Sequence, residues 1–107
     1  MITVEQKKKP PRTSVEISGK LTFAEVSELY AGLKPALQDV KRLELNLENV
    51  TGIDLAGYQL LLSLAKTLKE NKVPLSVVPG TCRERIEKIG NFAGLPQPFV
   101  NAEGWDA

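Results

Sequence analysis

Arg42-Leu43-Glu44-Leu45-Asn46-Leu47 alternates polar and apolar residues, and a short loop later the leucines recur every three or four positions, at Leu60, Leu61, Leu64 and Leu68. A period of two describes a strand with one buried face, and a period near 3.6 describes an amphipathic helix. The change of period dictates a strand, a loop from Glu48 to Ile53 carrying Asn49 and Gly52, and a helix from Asp54 to about Asn71.

The same alternation runs through the rest of the chain. Ile2-Thr3-Val4 and Ser14-Val15-Glu16-Ile17-Ser18 read as strands, separated by the breaker Lys7-Lys8-Lys9-Pro10-Pro11. Thr22-Phe23-Ala24-Glu25 has capping-box spacing, so a helix is expected from Phe23. Its apolar positions are Phe23, Val26, Leu29, Tyr30, Leu33 and Leu37; Gly32 and Pro35 predict a kink or break near Leu33. Pro74 to Val78 reads as a buried strand. Thr81 is the expected N-cap of a last helix, with Glu84 at the capping-box position and an apolar stripe of Ile86, Ile89 and Phe92 ending near Gly94. Pro96, Pro98 and Gly104 predict an irregular tail over 96–107. The order β-β-α-β-α-β-α implies an α/β fold, a mixed four-stranded sheet with an N-terminal antiparallel pair and about three covering helices. A chain of 107 residues, 42% of them hydrophobic, suits a single domain over 1–107 with its core between about 13 and 95.

Composition then removes whole classes of chemistry. There is no histidine, so a His base, a His-metal site and a His phosphorelay are excluded. One cysteine cannot form an intrachain disulfide, and a zinc site built on carboxylates alone would be unusual, so neither metal nor cofactor is expected. GxxxxGK[ST] and GxGxxG are both absent. A net charge of +1 supplies no global field toward nucleic acid or membrane, and no apolar run approaches the roughly 18 residues of a spanning helix. With no leader-like start either, the expectation is a cytoplasmic, soluble or at most peripheral, non-enzymatic protein. The Lys7–Lys9 run lacks interleaved aromatics and reads as a solvated hairpin loop, with no nucleic-acid role. Cys82, near a helix start, could be reactive; without a second Cys or a His, a partly buried structural thiol is the simpler expectation.

Within the helix after Asp54, one turn takes 3.6 residues, about 100° per residue. Gly57, Leu60, Leu61, Leu64, Ala65 and Leu68 fall on one side, which packs on the sheet. Leu55, Tyr58 and Leu62 point to another sector, rimmed by Gln59, Lys66 and Lys69. That apolar strip has the composition of a protein contact surface unless the first and third helices cover it. Asp54 reads as a helix cap or as an acidic element of recognition.

The order of these segments resembles the STAS family, the domain of sulphate transporters and anti-sigma factor antagonists. Gly19-Lys20-Leu21-Thr22 looks like the family's G-x-L-[DT] approach to the first helix, and Val50-Thr51-Gly52-Ile53-Asp54-Leu55-Ala56-Gly57 like its V-x-x-[IM]-D-[ST]-[ST]-G junction. In the antagonist branch the second hydroxyl residue after the Asp is phosphorylated by a partner kinase that also binds a sigma factor. Here that position is Ala56 and its neighbour is Leu55, so neither accepts phosphate. Thr51 and Ser63 do not align with that site. The resemblance implies a bacterial regulatory module, working without phosphorylation at residue 56, that binds a kinase-like anti-sigma factor or signalling protein through Asp54, Leu55, Ala56, Tyr58, Gln59, Leu62 and Lys66. A second branch has Asp-Thr-Ala-Gly at the junction and serves as an accessory subunit on the ATPase of an ABC-type phospholipid transporter; Ala56-Gly57 matches it, and Leu55 in place of Thr does not. A small-ligand sensor for a nucleotide or lipid is the third expectation.

Overall fold

In the computed structural model, residues 1–8, 10–100 and 102–105 are described. Strand β1 (Ile2–Lys8) turns into β2 (Pro11–Leu21), helix α1 (Phe23–Ala36) leads to β3 (Leu43–Ile53), α2 (Leu55–Glu70) to β4 (Leu75–Val78), and α3 (Cys82–Ala93) follows. The strands lie in the order β1-β2-β3-β4, the first pair antiparallel and the other two parallel. This is the mixed four-stranded sheet that the sequence implies.

Alternation assigns the two faces. Val15, Ile17, Leu43, Leu45, Leu47 and Val77 are buried, while their neighbours Ser14, Glu16, Glu44, Asn46 and Ser76 stay partly exposed. Burying the apolar row under α1, α2 and α3 supplies the main stabilisation, about 25 cal/mol per Å2 removed from water. The open polar face is held by ion pairs and hydrogen bonds: Arg12 with Glu44 at 2.9 Å and Asn49 with Glu16 at 2.9 Å.

Several local expectations change. The Glu48–Ile53 loop is strand, because β3 keeps pairing with β2 as far as Leu21↔Ile53; the register shifts between Glu16 and Ser18 and again between Gly19 and Lys20 absorb the irregular spacing. β1 runs through Lys7 and Lys8 and pairs Lys8 with Pro11, so the basic breaker belongs to the hairpin up to that point; Lys9 lies outside the described residues. No break occurs at Leu33. Pro35 sits in the last turn of α1, which ends one residue later at Ala36. Thr81 has helical φ and ψ and caps nothing with its side chain, and Glu84 pairs instead with Lys88 at 3.2 Å.

The tail is irregular in backbone, yet it is core. Phe99 is fully buried and Trp105 is 2% exposed, their rings meeting edge to face at 5.1 Å between centroids. Arg83 stacks on Trp105 at 5.3 Å. Glu103 adds a parallel bridge to Ser76, accepting from Val77 N–H at 2.7 Å and donating to Leu75 at 3.2 Å. The core therefore reaches past residue 95 as far as Trp105.

Candidate functional site

Asp54 lies between β3 and α2 as the N-cap of α2, and it holds more than its own helix. Its Oδ1 accepts from Gly57 N–H at 3.0 Å and its Oδ2 from Phe23 N–H at 3.0 Å, while its own N–H donates to Leu21 at 3.3 Å. One carboxylate thus caps the first turns of α2 and α1, at the positive ends of two helix dipoles. Those two N–H groups, Gly57 first and Phe23 second, hold its pKa below the ordinary carboxylate value. The expected capping box at Thr22 does not form: the Thr22 hydroxyl donates to Glu25, Glu25 N–H bonds the Thr22 carbonyl at 2.9 Å, and Asp54 caps a different donor, Phe23 N–H.

A test of this double cap is Asp54→Ala, expected to cost about 2 kcal/mol, the upper part of the range for a single lost cap. Because the folded pKa is depressed, the carboxylate's contribution is present above the unfolded value and is lost as pH falls through the folded one. Thermal melts of the wild type against Asp54→Ala should show the difference at neutral pH and convergence in acid. A difference constant with pH would contradict the cap.

Around this anchor the expected contact residues separate. Tyr58 does not lie on a surface strip: it is fully buried, its hydroxyl donates to the Pro96 carbonyl, and burial pushes its pKa up. The covering elements are α3 and the tail. A Cβ at Gly90 would stand 2.3 Å from the Tyr58 hydroxyl and 2.4 Å from Gln97 Nε2, so the missing side chain on α3 makes room for the phenol. Leu62 is half-buried and, with exposed Lys66, faces a groove of about 470 Å3 closed by Pro96, Gln97 and Val100 of the tail. Gln59 is exposed, and Ala56 is partly buried in the first turn.

Asp54 and Leu55 lie elsewhere, lining with Ile53 a groove of about 870 Å3 whose other side is formed by Lys88, Ile89, Asn91, Phe92 and Ala93 of α3. Leu55 is 47% exposed, and Phe92 is 97% exposed. Phe23, whose backbone bonds Asp54, is 81% exposed. The exposed Phe92 ring and Leu55, with Ile53 and Ile89, give this groove an apolar lining of the kind used for contact.

The strip reading missed Phe92, Ile89, Lys88 and Phe23. A signal for Phe92 was present: steps of three residues fall about 60° short of a full turn each, so Phe92 points about 120° away from Ile86. The buried face of α3 instead follows steps of four through Cys82, Ile86 and Gly90. Cys82 is buried, 4% exposed. Its thiol lies 3.1 Å from the Pro79 carbonyl, and burial pushes its pKa up.

The sheet order and the double-capped junction define an α/β fold of the anti-sigma factor antagonist kind, and the comparisons agree. The anti-sigma factor antagonist SpoIIAA in its unphosphorylated form shares the fold at TM-score 0.62 and 18% identity, with 81% of this chain and 82% of that one covered. A sulfate transporter family protein from Wolinella succinogenes is similar at TM-score 0.59 and 20% identity over 78% and 70% of the two chains. An uncharacterized DUF3478-family protein with a SpoIIAA-like fold, from Shewanella loihica PV-4, is similar at TM-score 0.59 and 17% identity over 96% and 80%. The family model described as "Mlab, STAS domain" matches residues 4–90, and the chain belongs to the STAS family. No curated protein matches it. Among the described residues no helix is long and apolar enough to cross a membrane.

Proposed function

We propose that this chain is a non-catalytic protein-interaction module of bacterial cytoplasm, an anti-sigma antagonist-like regulator that docks its partner in the groove between the start of α2 and the end of α3. The observation that carries this reading is the pairing of Leu55 with an almost fully exposed Phe92 across that groove. Asp54 is occupied in capping and supports the groove's shape. Leu55 and Ala56 hold no hydroxyl, so a phosphate ester cannot form there to repel a partner, and the surface is competent at all times or regulated elsewhere.

A second reading has its own support. The matched family model is described by the name Mlab, and Ala56-Gly57 fits the transporter branch of the resemblance. In that reading the same groove holds the ATPase of an ABC-type phospholipid transporter in a constant complex.

The test is capture from the native cytoplasm, using the wild type, Leu55→Asp, Phe92→Asp and Leu62→Asp. A charge placed in the groove would be buried without a partner on docking, so the first two substitutions should weaken capture at least about tenfold, a loss of about 1.4 kcal/mol or more. Leu62→Asp, in the separate tail groove, should leave capture intact. Melting temperatures of Leu55→Asp and Phe92→Asp should stay close to wild type, since both side chains are exposed. Recovery of a kinase-like or signalling protein supports the regulator; stoichiometric recovery of a transport ATPase selects the second reading. Undiminished capture by the Leu55 and Phe92 variants rejects both.

A further inference from the structure

The two edges of the sheet are treated differently. At β4 the chain covers its own edge, with Glu103 bonded to Leu75 and Val77. At the other edge stands β1, seven residues long and mostly exposed, approached by α1 at Ile2. Met1 and Ser18 exchange both backbone bonds, at 2.8 and 2.9 Å. Antiparallel pairs alternate, so Thr3, Glu5 and Lys7 also turn their backbone groups toward β2, and Ile2, Val4, Gln6 and Lys8 turn theirs outward. An open edge of this length is a template for another strand. Val4, 40% exposed, is the third of its seven residues.

The side chains restrict which strand fits. On the open face of the sheet, cross-strand pairing sets out two rows of opposite charge. Glu5, Ser14, Glu44, Ser76 and Glu103 stand side by side, and next to them come Lys7, Arg12 and, at the start of β3, Arg42. The rows are already tied together by Arg12–Glu44 and by Arg42–Glu103 at 2.6 Å.

We propose that β1 pairs antiparallel with β1 of a second copy of this chain, about a two-fold axis at Gln6, to make one continuous eight-stranded sheet. In that register Gln6 meets Gln6 and Val4 meets Lys8 as hydrogen-bonded pairs, using the outward backbone groups. Glu5 then stands opposite Lys7 twice, at the closely spaced positions where side chains interact most. The acidic row of each copy runs into the basic row of the other. Centring the axis on Glu5 would oppose two carboxylates and use inward backbone groups; centring it on Lys8 would oppose two ammonium groups. This surface is separate from the α2–α3 groove, so the inference does not depend on the partner proposed there.

Sedimentation of the purified chain over rising concentration tests it, with circular dichroism as a check on folding. The expected result is a dimer whose dissociation constant rises at least about tenfold in Glu5→Lys and in Lys7→Glu, and returns to within about threefold of wild type when both are combined. Val4→Pro removes an outward N–H that β2 does not use, and should give a folded monomer. If that variant fails to fold, the charge exchange decides alone. A wild type monomeric up to about 1 mM overturns the proposal. So does a dimer that survives a folded Val4→Pro, or a combined variant no tighter than the single ones.

Discussion

Gly57→Ala should cost at least about 3 kcal/mol, beyond the middle of the range for overpacked sites. Helix propensity alone argues the opposite sign, because alanine is favoured over glycine inside a helix by about 1 kcal/mol. The local geometry decides. A Cβ at Gly57 would stand 1.9 Å from the Leu21 carbonyl oxygen and 2.8 Å from its carbon, which are backbone atoms fixed in β2. Relief requires α2 to move off the sheet, and that strains the Asp54 bridge to Phe23. Urea unfolding with an unchanged slope and a lower midpoint is the expected record. A stabilised Gly57→Ala would show that α2 does not sit this close to β2.

The second large effect concerns the tail. Phe99→Ala and Trp105→Ala should each cost about 3 to 5 kcal/mol, the range for a buried aromatic cut to alanine. Because the two rings touch, the double variant should cost less than the two losses added together. Losses below about 1 kcal/mol would mean that these side chains are surface decoration, contrary to their burial. Gly104 belongs to the same packing: its φ is +87°, and a Cβ there would meet the Val77 carbonyl at 2.3 Å.

These two regions also mark where sequence reasoning succeeds and where it stops. Alternation at Leu43, Leu45 and Leu47, and the three-and-four spacing from Gly57 to Leu68, identify β3 and the sheet-facing side of α2, because one-sided burial imposes those periods directly. The tail has no period. Its burial depends on two aromatic anchors held by nonlocal contacts, Trp105 with Arg83 and Glu103 with β4, and prolines at 96 and 98 suggest only a loop.

At the candidate site the junction was legible, but the partition of its side chains was not. Leu55 and Tyr58 lie about 60° apart on α2, and which of them is buried depends on where α3 crosses. Gly90 settles that question by leaving a slot for the phenol, a pairing across 32 positions that no local pattern encodes. The Asp54 cap on Phe23 is similar: no local pattern at Thr22 encodes it, because the acceptor is a carboxylate 31 residues away.

Amide hydrogen exchange on the complex with the captured partner is the most direct test of the groove at α2 and α3. Added protection is expected at residues 53–57 and 88–93, where Ile53, Leu55, Ile89 and Phe92 line the groove. Protection confined to residues 62–69 and 96–100, around the tail groove, with 53–57 and 88–93 unchanged, would contradict the account.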